Sequence, residues 1–393
     1  FLNVIVQSLW HTDPFRKALA SMSHACKPGP VPCMTCALKM LFTYMEYSTL
    51  AALPPDHVRS TLSVLSAQES RFRIGEMDDA TEALEQIFRL LHDEQIRTTA
   101  KPCDTAGAGA AAEGVDRDDQ ACTPACVAHS VFGFEYYEQW VCESCSSASE
   151  LTPGLELVFR VYVSEVKSVQ TESMVMDLST VLQLVDRAGR KAKCPRTAER
   201  LEELEKKGIK ADEASLGGCT GRSRLQRNIL SLPDVFALSL VWPEASAPKS
   251  TLEATCRLLG QRLDLAKLFA MSSVGGGSWG LGSEEYTLTG FVCYYGLHYV
   301  CFTTTVSGGW LLFDDSRISD VGSWSDVVRK CVSSRYQPTV AFYAREHPRT
   351  PMPTATPSPL TKPTLPAATH TPAPVPTPAP AVEPTPAVEP TPA

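Results

Sequence analysis

The chain has 393 residues, a net charge of -8 and a pI near 5.6, which argues against a nucleic-acid or anionic-membrane binder, since the footprint of either is basic. Hydrophobic residues are 44% of the total, ample for a sizeable core, and no apolar run approaches the roughly 18 residues that span a bilayer. The chain begins with Phe1 rather than Met, and we read it as part of a longer product.

The opening FLNVIVQSLWH carries Phe1, Leu2, Ile5, Val6 and Leu9 at helical spacing. Asp13-Pro14 should stop that helix, because proline disfavours a helical residue before it. Leu38, Leu41, Phe42 and Met45 mark a second helix. Ala80, Ala83, Leu84, Ile87, Phe88 and Leu91 form an unbroken stripe, with Asp78 or Asp79 as N-cap. The first hundred residues therefore read as a helical lobe, followed by a small, polar loop insertion at 101–121.

Strands dominate afterwards. FGFEYYEQWV reads as a strand, and Leu155, Leu157, Phe159, Val161 and Val163 alternate as one half-buried strand should. A short helix is expected around Leu178–Val185, then an exposed, charged, helix-prone insertion (TAERLEELEKKGIKADE). LQRNILSLPDVFALSLVW reads as two strands broken at Pro233. YTLTGFVCYYGLHYVCFTTTV and WLLFDD read as neighbouring antiparallel strands, and PTVAFYAR closes the ordered part. Sixteen of the 30 prolines fall in the last 46 residues, where AVEPTP occurs twice. Such a segment can build neither ladder nor core, so 347–393 is expected to be a disordered, polyproline-II-like tail.

The chemistry-bearing residues cluster. His298 in YYGLHY precedes Asp314 in WLLFDD by sixteen residues. Two adjacent strands joined through Ser307-Gly308-Gly309 would bring them together as the imidazole-carboxylate half of a nucleophilic triad. Taken alone, a histidine near an acid is more often a structural hydrogen bond. The 14 cysteines fall largely in close pairs. In a long chain that starts helical, such pairs favour metal over a disulfide framework, and hence a reducing compartment, cytosol or nucleus. Cys142 and Cys145 follow a strand, and Cys194 and Cys219 bracket the charged insertion. The four suit a tetrahedral zinc site. His24, Cys26, Cys33 and Cys36 lie within thirteen residues and are a second zinc candidate. Cys122, Cys126 and His129 are read instead as buried thiols with a loop-capping histidine. Gly275-Gly276-Gly277 lacks the strand, helix and Lys-Ser/Thr of a phosphate loop.

Several of these segments jointly resemble the ubiquitin-specific protease family. FLNVIVQSLWH resembles the sequence that follows the family's nucleophilic cysteine, GEMDDATEALEQIF its second landmark, and YYGLHYVCF with WLLFDD its histidine box. The wording looks most like a divergent plant and algal branch of ubiquitin carboxyl-terminal hydrolase-related proteins, which is also similar to an animal pair often described as inactive or weakly active. The resemblance implies an α+β, papain-like cysteine protease fold with a helical thumb, zinc-bearing β fingers and an antiparallel-sheet palm. It would occupy 1–346 without its extreme N-terminus: 1–100 thumb, 122–245 mainly fingers, 246–346 mainly palm.

The function implied is hydrolysis after the C-terminal glycine of ubiquitin, with ubiquitin and ubiquitinated proteins as partners and structural Zn2+ in the fingers. His298 falls on the catalytic histidine and Asp314 on the residue that orients it. Asp79, Tyr295 and Gly296 fall beside the ubiquitin tail, and Cys142, Cys145, Cys194 and Cys219 follow the order of the finger ligands. The nucleophile is expected immediately before Phe1, which would leave this chain inactive by itself. A non-catalytic ubiquitin-binding scaffold is the alternative. Thr81 stands where relatives have His or Gln, and LVW (240–242) replaces a usual basic ending, so ubiquitin contacts are expected to differ.

Overall fold

The computed structural model describes residues 1–346 except 25, 27–30, 100–121, 123–124, 175, 189–190, 210–217 and 272–283. The 101–121 loop, the 347–393 tail and the Gly275–Gly277 run therefore lie outside the described residues.

One eight-stranded sheet organises the chain. Its order runs Arg317–Gly322, Trp310–Asp314, His298–Thr304, Glu285–Tyr295, Gln337–Arg345, Val235–Val241, Val158–Tyr162, with Leu263–Asp264 added beside Glu285–Tyr295. Neighbours along it are antiparallel except the last pair, which is parallel. Strand Val235–Val241 is buried along almost its whole length, as an apolar run covered on both faces should be. Alternate residues feed two cores. Val235 and Ala237 face a helical core, while Phe236, Leu238 and Leu240 face the other.

The helical core is built as the first hundred residues suggest. Helix Leu2–His11 sinks Leu2, Ile5 and Leu9 against Val292, Cys301 and Phe313 of the sheet. Each such side chain contributes roughly 1.5–3 kcal/mol relative to exposure. Helices Met34–Tyr47, Asp56–Leu65 and Ala80–Thr99 pack around it. The first helix ends at His11, ahead of Asp13-Pro14, yet Asp13 is itself helical and opens the next helix, Asp13–Ser21, with Pro14 in its first turn, where its missing N–H costs nothing. On the other face, helices Lys249–Leu259 and Trp324–Ser334 bury Leu252, Cys256, Val327 and Cys331.

The smaller sheet runs Thr152–Glu156, Phe134–Cys142, Arg222–Ile229, Lys191–Lys193, with Ala270–Met271 alongside Arg222–Ile229. Here one expectation fails. The alternation from Leu155 to Val163 is two strands, not one: Thr152–Glu156 joins the small sheet, Val158–Tyr162 joins the large one, and Val163 opens a helix. Period-2 patterning survives because both strands are half-buried, so it conceals the bend at Leu157 between them. The charged stretch forms helix Pro195–Lys206, largely exposed as expected.

Candidate active site

His298 opens strand His298–Thr304 directly after a two-residue turn. Gly296 and Leu297 both have positive φ, +50° and +69°, the pattern of a hairpin turn whose twist matches its strands. Gly296 takes that backbone without strain, and nothing stands within 4 Å of where its Cβ would be. The next hairpin closes through Thr305–Gly309 and registers Cys301 against Phe313. Continued by one step, that register sets Asp314 beside Val300, on the face that His298 shares. His298 Nε2 lies 2.7 Å from Asp314 Oδ1, and Asp315 Oδ2 stands 4.0 Å from the same nitrogen. The ring of Tyr295 meets the imidazole edge-on at 5.4 Å and packs on Tyr336 at 4.8 Å. The imidazole is thus held by a carboxylate and flanked by an aromatic wall, yet remains about one-third exposed.

The chain's first turn reaches the same place. Asn3 Nδ2 donates to Asp315 Oδ1 at 3.0 Å, so helix Leu2–His11 is fastened beside His298. Asp79 caps helix Ala80–Thr99, its Oδ1 accepting from the backbone of Thr81 and Glu82. Its Oδ2 accepts from Tyr299. Asp78, Asp79, Thr81, Tyr294, Leu297, Tyr299 and Gln337 line one cleft of about 810 Å³ between the helical lobe and the large sheet. His298 and Asp314 come together as the sequence suggests, and Tyr295 touches the imidazole. Asp79 and the Gly296–Leu297 turn border the cleft.

Two cysteine clusters also assemble. The sulfurs of Cys142, Cys145, Cys194 and Cys219 lie within 4.8 Å of one another, with Cys142 to Cys219 at 3.7 Å and Cys145 to Cys194 at 3.5 Å. Four thiolates around zinc, at about 2.3 Å each, stand about 3.8 Å apart, so the geometry fits the ion. The backbone N–H groups of Cys145 and Ser144 pull the Cys142 thiol down to about 6, while in the metal-free cluster that of Cys145 is raised. A Cβ on Gly221 would lie 2.9 Å from Cys142 Sγ and closer still to Ser144; only glycine lets that backbone pass.

His24, Cys26, Cys33 and Cys36 converge in the same way, with His24 Nε2 3.1 Å from Cys33 Sγ. Glu94, which is buried, accepts from the Thr35 hydroxyl and from the backbone N–H groups of Met34 and Thr35, and its Oε2 stands 3.3 Å from Cys33 Sγ. It caps helix Met34–Tyr47 beside the cluster. The sequence reading missed Glu94, Asn3 and Asp315. Asp315 could have been flagged as the second acid of WLLFDD; Glu94 sits mid-helix with no local signal.

Among the described residues, no thiol beside the large sheet is exposed, that of Cys331 included. Cys256, Cys293 and Cys301 are buried. Burial pushes Cys301 up to about 12 and raises Cys293, and contact with Cys331 together with burial raises Cys256. Such thiols are inert. No described helix is long and apolar enough to cross a membrane.

The family model described as ubiquitin carboxyl-terminal hydrolase matches residues 1–343. Human ubiquitin carboxyl-terminal hydrolase 53 is 29% identical over 88% of this chain and 29% of its own length. Rat ubiquitin carboxyl-terminal hydrolase 54 is 30% identical over 88% of this chain and 19% of its own. The chain thus spans less than a third of these curated relatives. Among solved structures, the SAGA Ubp8/Sgf11/Sus1/Sgf73 DUB module bound to ubiquitin aldehyde superposes with TM-score 0.55 at 15% identity, covering 88% of this chain and 67% of that one. The same module bound to monoubiquitin gives 0.54 at 18%, covering 88% and 66%. The fold is therefore the α+β fold of ubiquitin-specific proteases, and the chain belongs to the ubiquitin carboxyl-terminal hydrolase family.

Proposed function

We propose that this chain is the body of a deubiquitinating cysteine isopeptidase whose nucleophilic thiol is carried immediately before Phe1. The observation that supports it most is the meeting of His298, Asp314 and the first turn of the chain, linked through Asn3 and Asp315. A thiol there would sit at the N-terminus of helix Leu2–His11, whose dipole favours the thiolate, within reach of the His298 imidazole.

The thiolate would attack the carbonyl carbon of ubiquitin's C-terminal glycine, and the imidazolium would protonate the departing lysine amine as the C–N bond breaks. Neutral imidazole then takes a proton from water, whose oxygen attacks the thioester and releases the thiolate. Asp314 holds the imidazole in the required orientation and stabilises its charged form. Asp79, Tyr295 and Gly296 would border the ubiquitin tail, and the cleft beside Asp78 and Tyr294 is where an extended peptide would lie. Zn2+ held by the Cys142 and His24 clusters would supply structure, not chemistry. Ubiquitin and its conjugates are the proposed partners, in cytosol or nucleus.

The test uses ubiquitin bearing a C-terminal electrophile, offered to a chain that carries a cysteine immediately before Phe1. A covalent adduct that disappears in His298→Ala supports the reading. Tight non-covalent binding without adduct would make the protein a ubiquitin-binding scaffold, and neither adduct nor binding would remove ubiquitin from the account.

A further inference from the structure

A third group of ligands comes together away from the cleft. His92, Cys122, Cys126 and His129 place one ligand atom each within 4.8 Å of all the others. Cys122 Sγ lies 3.1 Å from His129 Nδ1, and the rings of His92 and His129 meet edge-on at 4.6 Å. Sulfur and nitrogen ligands on a tetrahedral zinc would stand about 3.5 Å apart. Read from sequence, Cys122, Cys126 and His129 suggest only buried thiols and a capping histidine. The fourth member comes from helix Ala80–Thr99, far away in the chain.

His92 decides the matter. Its side chain is 2% exposed, and neither ring nitrogen has a hydrogen-bond partner among the described residues. A buried imidazole without partners costs free energy that native structures seldom leave uncompensated. The sulfurs are meanwhile arranged as metal thiolates usually are. The Cys126 backbone N–H points at Cys122 Sγ at 3.0 Å, and the His129 N–H at Cys126 Sγ at 3.4 Å. Charge also fits: two thiolates and two neutral imidazoles exactly offset a divalent cation, so the loaded site is neutral, which suits burial. A tetrahedral set of two sulfurs and two nitrogens selects zinc.

We propose that His92, Cys122, Cys126 and His129 bind a structural zinc ion of their own, separate from the two clusters described above. The ion would tie the long helix to the short helix Val127–Phe132, closing a loop of about thirty residues whose ends are otherwise costly to hold together. Because Asp79 and Glu94 belong to the same long helix or its cap, the ion would also fix the helix that carries one wall of the cleft.

The chain is purified without chelator and its zinc ions are counted by native mass spectrometry. His92→Ala should melt cooperatively and hold one zinc fewer than the unsubstituted chain; equal counts would overturn the site. A second measurement needs no variant. Cys122 is only partly buried, so in the native chain it should resist iodoacetamide until chelator is added. Prompt labelling of Cys122 in zinc-loaded protein would overturn the proposal even if His92→Ala failed to fold.

Discussion

The Tyr299 hydroxyl donates to Asp79 Oδ2 at 2.9 Å, across 220 residues of sequence. The residue next to His298 is therefore strapped to the cap of helix Ala80–Thr99, and one carboxylate holds both the helix end and strand His298–Thr304. Burial pushes the phenol pKa up, and the Asp79 carboxylate pushes it further, so Tyr299 remains a donor. A hydrogen bond to a charged group contributes about 1.5–3 kcal/mol. Tyr299→Phe should lose that much in urea unfolding. No measurable loss would mean that the strap carries no load.

Asp314→Ala tests the orienting role proposed for this carboxylate. His298 and Asp314 are each about one-third exposed, so the thermal midpoint should hardly move. In a chain carrying the proposed nucleophile, turnover of a fluorogenic ubiquitin substrate should fall on the order of 10²–10⁴-fold, because nothing then orients the imidazole or stabilises its charged form; Asp314→Asn, whose amide oxygen still accepts from the imidazole as in Cys-His-Asn triads, should fall less. A fall of less than tenfold in Asp314→Ala would assign the orienting role elsewhere, with Asp315 next in line at 4.0 Å.

The division between what sequence disclosed and what it hid follows contact range. His298 and Asp314 lie on consecutive strands, so hairpin spacing alone brings them together. The Asp79 cap is legible for the same reason: its partners are two and three residues away. Glu94 and His92 are hidden because their partners come from other elements, and a polar residue on a helix's buried face carries no mark of what it will meet. Leu155–Val163 misleads for a different reason. Alternation reports burial on one side, and both of its strands have that, so the passage from one sheet to the other leaves no periodic trace. Leu297, at φ +69°, likewise gives no sign of the left-handed backbone that Gly296 beside it announces.

Gly221→Ala probes the Cys142 cluster without removing a ligand. The added Cβ would be forced against Ser144 and Cys142 Sγ, so the turn from Cys142 to Cys145 must open. The variant should hold one zinc fewer by native mass spectrometry. Hydrogen exchange should quicken in strands Phe134–Cys142 and Arg222–Ile229, which lead to the site. Retention of the full zinc complement would show that the glycine is dispensable there.

Alkali should unfold the chain earlier than its carboxylates and lysines alone would suggest. Burial raises the pKa of Tyr136, Tyr286, Tyr299 and Tyr343. Unfolded tyrosines release their protons at about pH 10. Above that the unfolded state binds fewer protons than the folded one, so stability is complete below about pH 10 and falls as pH rises towards the raised values. Urea midpoints should hold between pH 8 and about 10 and decline above that, up to about pH 12, and Tyr343→Phe should flatten the decline. A midpoint independent of pH over that range would contradict the burial of these phenols.

Arg227 holds the root of the small sheet. Its side chain is 3% exposed and faces Glu156 at 3.1 Å, Asp186 at 3.4 Å and Glu138 at 3.5 Å, with the Tyr136 ring 4.6 Å from its guanidinium. Arg227→Met keeps the bulk and removes the charge, leaving three carboxylates facing one another where water reaches them poorly. Breaking such a buried network costs about 3–5 kcal/mol, and urea unfolding should register it. The loss comes from uncompensated charge, so neutralising one acid should restore part of it: Arg227→Met with Glu156→Gln should be more stable than Arg227→Met alone. If the second substitution instead adds to the first, packing against Tyr136 rather than charge is what Arg227 provides.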